Sequence, residues 1–295
     1  MKRLLKNWGM LFFALSVMAG CSEENATYSG PDYVMFSDTL QTIAVQSDDT
    51  YYDIPVTATT TCDYDRTYSV EVVDKGSNAI EGVHYDLQSN NVTIKAGERT
   101  SSIKIRGHYN NFEDTDSIGV MLRLTADKDK IWDLYGLDTK VVLVKVCPFD
   151  INTFVGYAVL TSTFFTDYMQ TTEMRLLTTE KDPEVENGII LKNFLYDGYD
   201  IKVSFNTDNP LQPLLEMEPQ VVGSTVEAFQ GSWHGDDKLR VMNATGTISY
   251  YNVCQNFFFQ YMTFYVNGVG TVGTYANVVE WISKEEYDYL KKQGY

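Results

Sequence analysis

The 295-residue chain carries 23 Lys and Arg against 40 Asp and Glu, a formal charge of −17, so it repels nucleic acid and anionic membrane rather than binding them. Its 21 Tyr and 15 Phe, with plentiful β-branched residues, favour strands. The length suffices for two domains of ordinary size, and no stretch is long and apolar enough to cross a bilayer as a helix.

The N-terminus reads as a targeting segment. Lys2, Arg3 and Lys6 are positive, Trp8 to Met18 form a short apolar core, and Ala19-Gly20 precede Cys21. That is the three-part layout of a secretory signal, here residues 1–20. Leu15-Ser16-Val17-Met18-Ala19-Gly20-Cys21 resembles the lipobox of bacterial lipoproteins. The resemblance implies cleavage before Cys21 and lipidation of that residue, and two or more acyl chains hold a protein stably on a membrane. Cleavage removes three basic residues and no acidic ones, so 20 minus 40 leaves −20. Ser22-Glu23-Glu24 resembles the acidic export signal of Bacteroides-type lipoproteins, which implies the outer membrane with the protein facing the exterior. Residues 21–32 then form the lipidated Cys and a flexible tether.

Residues 33–147 alternate with period two. Tyr52, Ile54, Val56 and Ala58 do so, then Tyr68, Val70 and Val72, then Ile103 and Ile105. Ile118, Val120, Leu122 and Leu124 follow, and Val142, Val144 and Val146 close the series. Short alternating strands separated by Gly, Asn and Asp turns predict an Ig-like β-sandwich. Gly82-Val83-His84-Tyr85-Asp86, Ala96-Gly97-Glu98 and the entry Glu113 to Leu122 resemble the Calx-β sandwich family over roughly residues 80–124. Some members of that family bind Ca²⁺ at one end of the sandwich, which makes Glu113, Asp114 and Asp116 the candidate metal residues. Asn110-Asn111 stands where paired Asp often occurs in the family, and neutral amides weaken a site for a hard cation.

Val146 to Asp150 reads as a joint, because Pro148 ends a strand. Residues 148–295 predict an antiparallel meander closing into a barrel, possible as a lipocalin-like one on topology alone. Asp197-Gly198 predicts a hairpin between Asn193–Tyr196 and Tyr199–Ile201. Asn256 to Val266 is apolar on both faces, so it predicts a strand buried between two layers. Ser283-Lys284-Glu285-Glu286 is a capping box, and Gly294 stands at the C′ position of a short C-terminal helix.

Chemistry is sparse. With Cys21 on lipid, Cys62, Cys147 and Cys254 are an odd set matching no zinc spacing, and the reading is three thiols acting as small hydrophobes. Gly268, Gly270 and Gly273 spell a dinucleotide fingerprint, but a strand follows, so a turn is expected. No hydrolase, metalloprotease or P-loop motif occurs, and no cofactor is expected. The segment Gln230 to Asp237 sets Trp233, His234 and Asp236 between glycines. An exposed Trp beside polar groups suits a sugar ring, stacked on its apolar face and hydrogen-bonded at its hydroxyls. The sequence thus predicts an all-β, non-enzymatic surface lipoprotein that binds an extracellular ligand, a glycan first. A structural or adhesion module with a protein partner is the alternative, and an all-β hydrolase a third.

Overall fold

The computed structural model describes residues 28–113, 117–170 and 173–295. Cys21 and its signal segment, and Asp114 and Asp116, lie outside the described residues.

Nine strands build the N-terminal unit: β1 (Val34–Phe36), β2 (Leu40–Val45), β3 (Tyr52–Ala58), β4 (Arg66–Val73), β5 (Tyr85–Leu87), β6 (Asn91–Ile94), β7 (Thr100–Gly107), β8 (Ser117–Thr125) and β9 (Asp138–Lys145). They form two facing sheets, β1-β3-β7-β5 and β2-β9-β8-β4-β6. Only β2 and β9 run parallel among these pairs. The alternation in the sequence becomes the core directly: Ile54, Val56, Ile103, Ile105, Val120, Leu122 and Leu143 all lie buried between the sheets. Side chains on successive residues point to opposite faces, so one register serves both the core and the solvent.

The end of the sandwich nearest the chain's N-terminus is closed by charge. Arg66, only 4% exposed at its side chain, pairs with Asp32 at 2.8 Å. Thr60 Oγ1 and Lys130 Nζ also donate to Asp32, at 2.7 and 3.1 Å. Burial pushes the Asp32 carboxyl up, but these donors and the Arg66 charge outweigh it and hold its pKa below the ordinary value. Trp132 stacks on Tyr33 beside this cluster. β9 starts at this pole and leads into the joint at the other, a run of eight residues or about 26 Å.

The C-terminal unit contains β10 (Gly156–Ser162), helix α1 (Thr163–Tyr168), β11 (Arg175–Lys181), β12 (Gly188–Lys192), β13 (Ile201–Asn206), β14 (Leu214–Glu216) and β15 (Gln220–Gly223). Helix α2 (Thr225–Ala228), β16 (Leu239–Asn243), β17 (Tyr250–Asn252), β18 (Phe257–Val266), β19 (Gly270–Ile282) and helix α3 (Lys284–Gln293) complete it. The pairing β18-β17-β14-β13-β12-β11-β10-β19 returns to β18 and closes an eight-stranded barrel. β15 and β16 extend the positions of β14 and β17 towards the far end, since β16 and β17 pair with successive stretches of β18. The Gln220 carboxamide links β15 to β13: its Oε1 accepts from Lys202 N at 2.7 Å and its Nε2 donates to Lys202 O at 2.6 Å.

An eight-stranded barrel is just wide enough for side chains to fill, and this one is filled. Leu160, Leu177, Ile189, Leu191, Val203, Met262 and Val279 occupy the middle. Rings plug both ends. Near the sandwich, Phe154 stacks on Phe205 at 4.5 Å and meets the edge of Trp281 at 5.0 Å. At the far end α1 tucks Phe164 against Phe264 at 4.6 Å and Tyr275 at 5.3 Å. The interior is therefore a packed core rather than the open calyx of a lipocalin-like pocket.

Three expectations need correction. Cys147 and Cys254 form a disulfide with Cα atoms 5.4 Å apart, and among the described residues Cys62 is the one free thiol. The barrel folds its β17–β18 turn back onto the end of the sandwich, which spacing in the sequence does not show. The Asn256–Val266 run is not buried on both faces: Phe258, Gln260, Met262 and Phe264 point inward, whereas Phe257, Phe259, Tyr261 and Tyr265 are half-buried on the outer wall. Rings stacking along that wall, such as Tyr250 on Phe259 at 5.7 Å, explain an apolar outer face without a second layer. The Asp197-Gly198 turn exists, with Gly198 at φ 85°, but it sits inside a loop between β12 and β13. Phe194 and Leu195 are not strand residues; they drop into the core.

Of the terminal features, the Ser283 cap and the C-terminal glycine follow the sequence, without the reciprocal Glu286 half of a capping box. Ser283 Oγ accepts from Glu286 N at the start of α3, and Gly294 adopts φ 99° at its end. Gly268 and Gly270, at φ 74° and 141°, form the turn leading into strand β19.

Candidate functional site

The loops at the barrel's far end, opposite the sandwich, form a rim. The β15–β16 connection, residues 224–238, holds all three predicted ligand residues. Ser224 caps α2 in a capping box with Glu227. Thr225 is fully buried and donates to Asp237 Oδ1 at 2.6 Å. The same oxygen accepts from Val226 N at 3.0 Å, and His234 N donates to Thr225 Oγ1 at 3.0 Å. Gln230 and Asp237 adopt positive φ of 52° and 60°, conformations that cost non-glycine residues energy unless the surroundings impose them. Gly235, at φ +55°, leaves no room for a side chain: a Cβ there would meet Asn267 O and Val266 Cγ1 at 2.9 Å. The loop is thus pinned to the β18–β19 turn.

What this pinned loop presents is Trp233, which is 67% exposed. Its Nε1 donates to Gly235 O at 3.0 Å, so the indole is fixed by its polar edge while its faces stay open. Val269 and Val226 are also exposed on this rim. His234 packs edge-on against Phe229 at 5.3 Å, and Phe229 reaches the α1 plug through Tyr168 at 5.5 Å. Asp236 forms a two-pronged pair with Arg240, Oδ1 to Nη1 at 2.9 Å and Oδ2 to Nη2 at 2.5 Å. That pairing pulls the Asp236 carboxyl down to about 2. Trp233 and His234 are both exposed, and Asp236 offers an acceptor already shared with a guanidinium.

Of the predicted metal residues only Glu113 is described, on the sandwich end that faces the joint. Glu113 is exposed after the buried Phe112, and Asn111 Nδ2 donates to Val83 O. Among the described residues no three His, Cys, Asp or Glu side chains gather where they could hold a metal ion.

Sequence reasoning missed a cleft of ≈840 Å³ between the two units. Gln46, Ser47 and Val144 line it from the sandwich, Asn209, Gln212 and Tyr251 from the barrel, with Cys147 and Cys254 on its wall. Ligand pockets favour such domain interfaces. The one signal in the sequence was Cys147 beside Pro148, which needed a partner to be read.

The fold and rim define an all-β protein of two units, with a filled barrel that exposes an aromatic ring at its tip. The chain belongs to the family described as a domain of unknown function, DUF4984, whose profile matches residues 134–293, more than half of the chain. The matched stretch runs from the β8–β9 loop through α3. No curated protein matches. Among solved structures, a Bacteroides ovatus protein of unknown function is similar at 10% identity and TM-score 0.36, over 84% of this chain and 89% of its own. Another Bacteroides ovatus protein, provisionally described as carbohydrate-binding, is similar at 11% identity and TM-score 0.32, over 83% and 67%. The apo Calx CBD1 domain is similar at 11% identity and TM-score 0.33, over 39% of this chain and 98% of its own.

Proposed function

We propose that the protein is a lipid-anchored, non-catalytic binding protein of the cell surface that holds an extracellular glycan on its distal rim. The observation that carries this reading is Trp233: a 67% exposed indole on a loop kept in place by a buried threonine, two strained residues and a glycine contact. An ordinary surface Trp folds its apolar face down, whereas this loop spends conformational energy to hold the face outward. A sugar ring stacks its C–H face on such a surface, and nearby polar groups take its hydroxyls.

Position supports the reading. The tether enters at the Asp32–Arg66 pole, β9 carries the chain to the opposite pole, and the barrel adds its own length beyond. Trp233 thus stands at the end remote from Asp32. The Cys147–Cys254 bond accords with an exported protein, since disulfides persist in oxidising compartments. The test is a glycan array with the wild-type protein and Trp233→Ala. The wild type is expected to retain a defined set of neutral glycans, with affinity falling about tenfold or more in the variant, the scale of one well-packed aromatic contact. A blank array for the wild type would remove the glycan from the proposal.

A further inference from the structure

The barrel and the sandwich have separate hydrophobic cores with no residue in common. Where a packed interface would couple them lies the ≈840 Å³ cleft. The peptide link is short, Val146 to Asp150, with exposed Pro148 in its middle. Units joined this way move relative to each other unless a large apolar interface restrains them. The restraint here is covalent. Cys147 follows the last sandwich strand, and Tyr109 Oη donates to its Sγ at 3.3 Å, so this sulfur is held by the sandwich. Cys254 sits in the tight turn between β17 and β18, where Asn252 Oδ1 accepts from Gln255 N at 3.0 Å, so this sulfur is held by the barrel. Each half-cystine is fixed to its own unit, and the bond joins the two units across the cleft wall.

We infer that the Cys147–Cys254 disulfide is an interdomain clasp: it sets the angle between sandwich and barrel and the width of the cleft, and thiol reduction frees the barrel to swing about residues 146–150. The clasp forms when two thiols give up two electrons and two protons to a disulfide-exchange oxidant of the export compartment. It opens when one thiolate of a dithiol attacks either sulfur and its second thiol displaces the mixed disulfide. Two electrons then pass to the protein, which gains two thiols, and the dithiol becomes a disulfide. Both cysteines line the cleft and are half-buried, so a small dithiol reaches them from that side. The angle governs how the barrel's distal rim is aimed from the anchored pole, independently of what the rim binds.

Hydrogen exchange on the whole chain tests this, oxidised and after dithiothreitol, with thiol titration confirming two additional thiols. Exchange at residues 144–150, 209–213 and 252–255 is expected to rise about tenfold or more on reduction, as a locally opened segment exchanges faster, while β10 to β13 stay protected. Cys254→Ser should reproduce the pattern without reductant. Unchanged exchange at those segments would overturn the clasp, because the cleft walls would then be held without it. A rise throughout the barrel strands would overturn it too, because the bond would then maintain the barrel's fold instead of its orientation.

Discussion

The sandwich and the barrel both have ends to close, and they close them with different chemistry. At the Asp32 pole the sandwich buries an ion cluster: Arg66 is 4% exposed and Asp32 14%, with Thr60, Cys62 and Lys130 also donating to the carboxylate. The barrel instead caps each end with rings, Phe154, Phe205 and Trp281 near the sandwich and Phe164, Phe264 and Tyr275 at the rim. A buried charge is tolerable only while every partner is in place, and breaking one partner leaves the other stranded. A ring plug needs only area and shape. The ion cluster therefore makes the sandwich end sensitive to pH, and the ring plugs do not.

Removing a plug ring should give the largest effect. Phe154→Ala is expected to cost the barrel about 4 kcal/mol, the transfer and cavity terms together, seen in calorimetry as a lowered barrel transition with the sandwich transition unmoved. A single shared transition would show that the two cores unfold as one and would break the comparison. Asp32→Asn comes next, at about 3 kcal/mol from the sandwich alone, because Arg66 loses its counter-charge in a buried site. Its pH dependence has a definite sign. The Asp32 pKa is lowered from 3.8, so the stabilisation is present above that value and disappears as pH falls through the folded-state pKa. The gap between wild type and variant should be full at pH 5–7 and close in acid.

Smaller effects probe the barrel wall and rim. Gln220→Ala removes both bonds to the Lys202 backbone and should cost about 1 kcal/mol, with faster amide exchange at Lys202. Trp233→Ala should change stability by no more than about 0.5 kcal/mol, as expected of an exposed side chain. A clear loss of stability there would mean the indole is packing, not presentation, and would undercut its role as a binding surface.

The sandwich was legible because its chemistry is local. Val120, Leu122 and Leu124 alternate in the sequence and lie buried in the fold, since the period of the strand is the period of the core. Helix α3 announced itself through Ser283 and Gly294 for the same reason. Period failed where a side chain's environment comes from elsewhere in the chain. Phe257 and Phe259 look like core residues but meet Tyr250 on the outer wall, Phe257 edge-on and Phe259 stacked. Phe194 and Leu195 look like a strand but plug the barrel from a loop. The rim was half legible: glycines around Trp233 marked a turn, but not the Thr225–Asp237 contact that fixes it, 12 residues apart.

Local pattern, then, was enough for the strands, the turns and the cap of the last helix, all of which depend on neighbours within a few residues. It was also enough to predict an all-β chain of two units. Pairing over long separations was beyond it. The closure of β10 on β19, the filling of the barrel, and the bond between Cys147 and Cys254, 107 residues apart, each depend on which surfaces meet once the chain has folded. That meeting turns two β units into one object with a disulfide at its joint and an exposed ring at its far end.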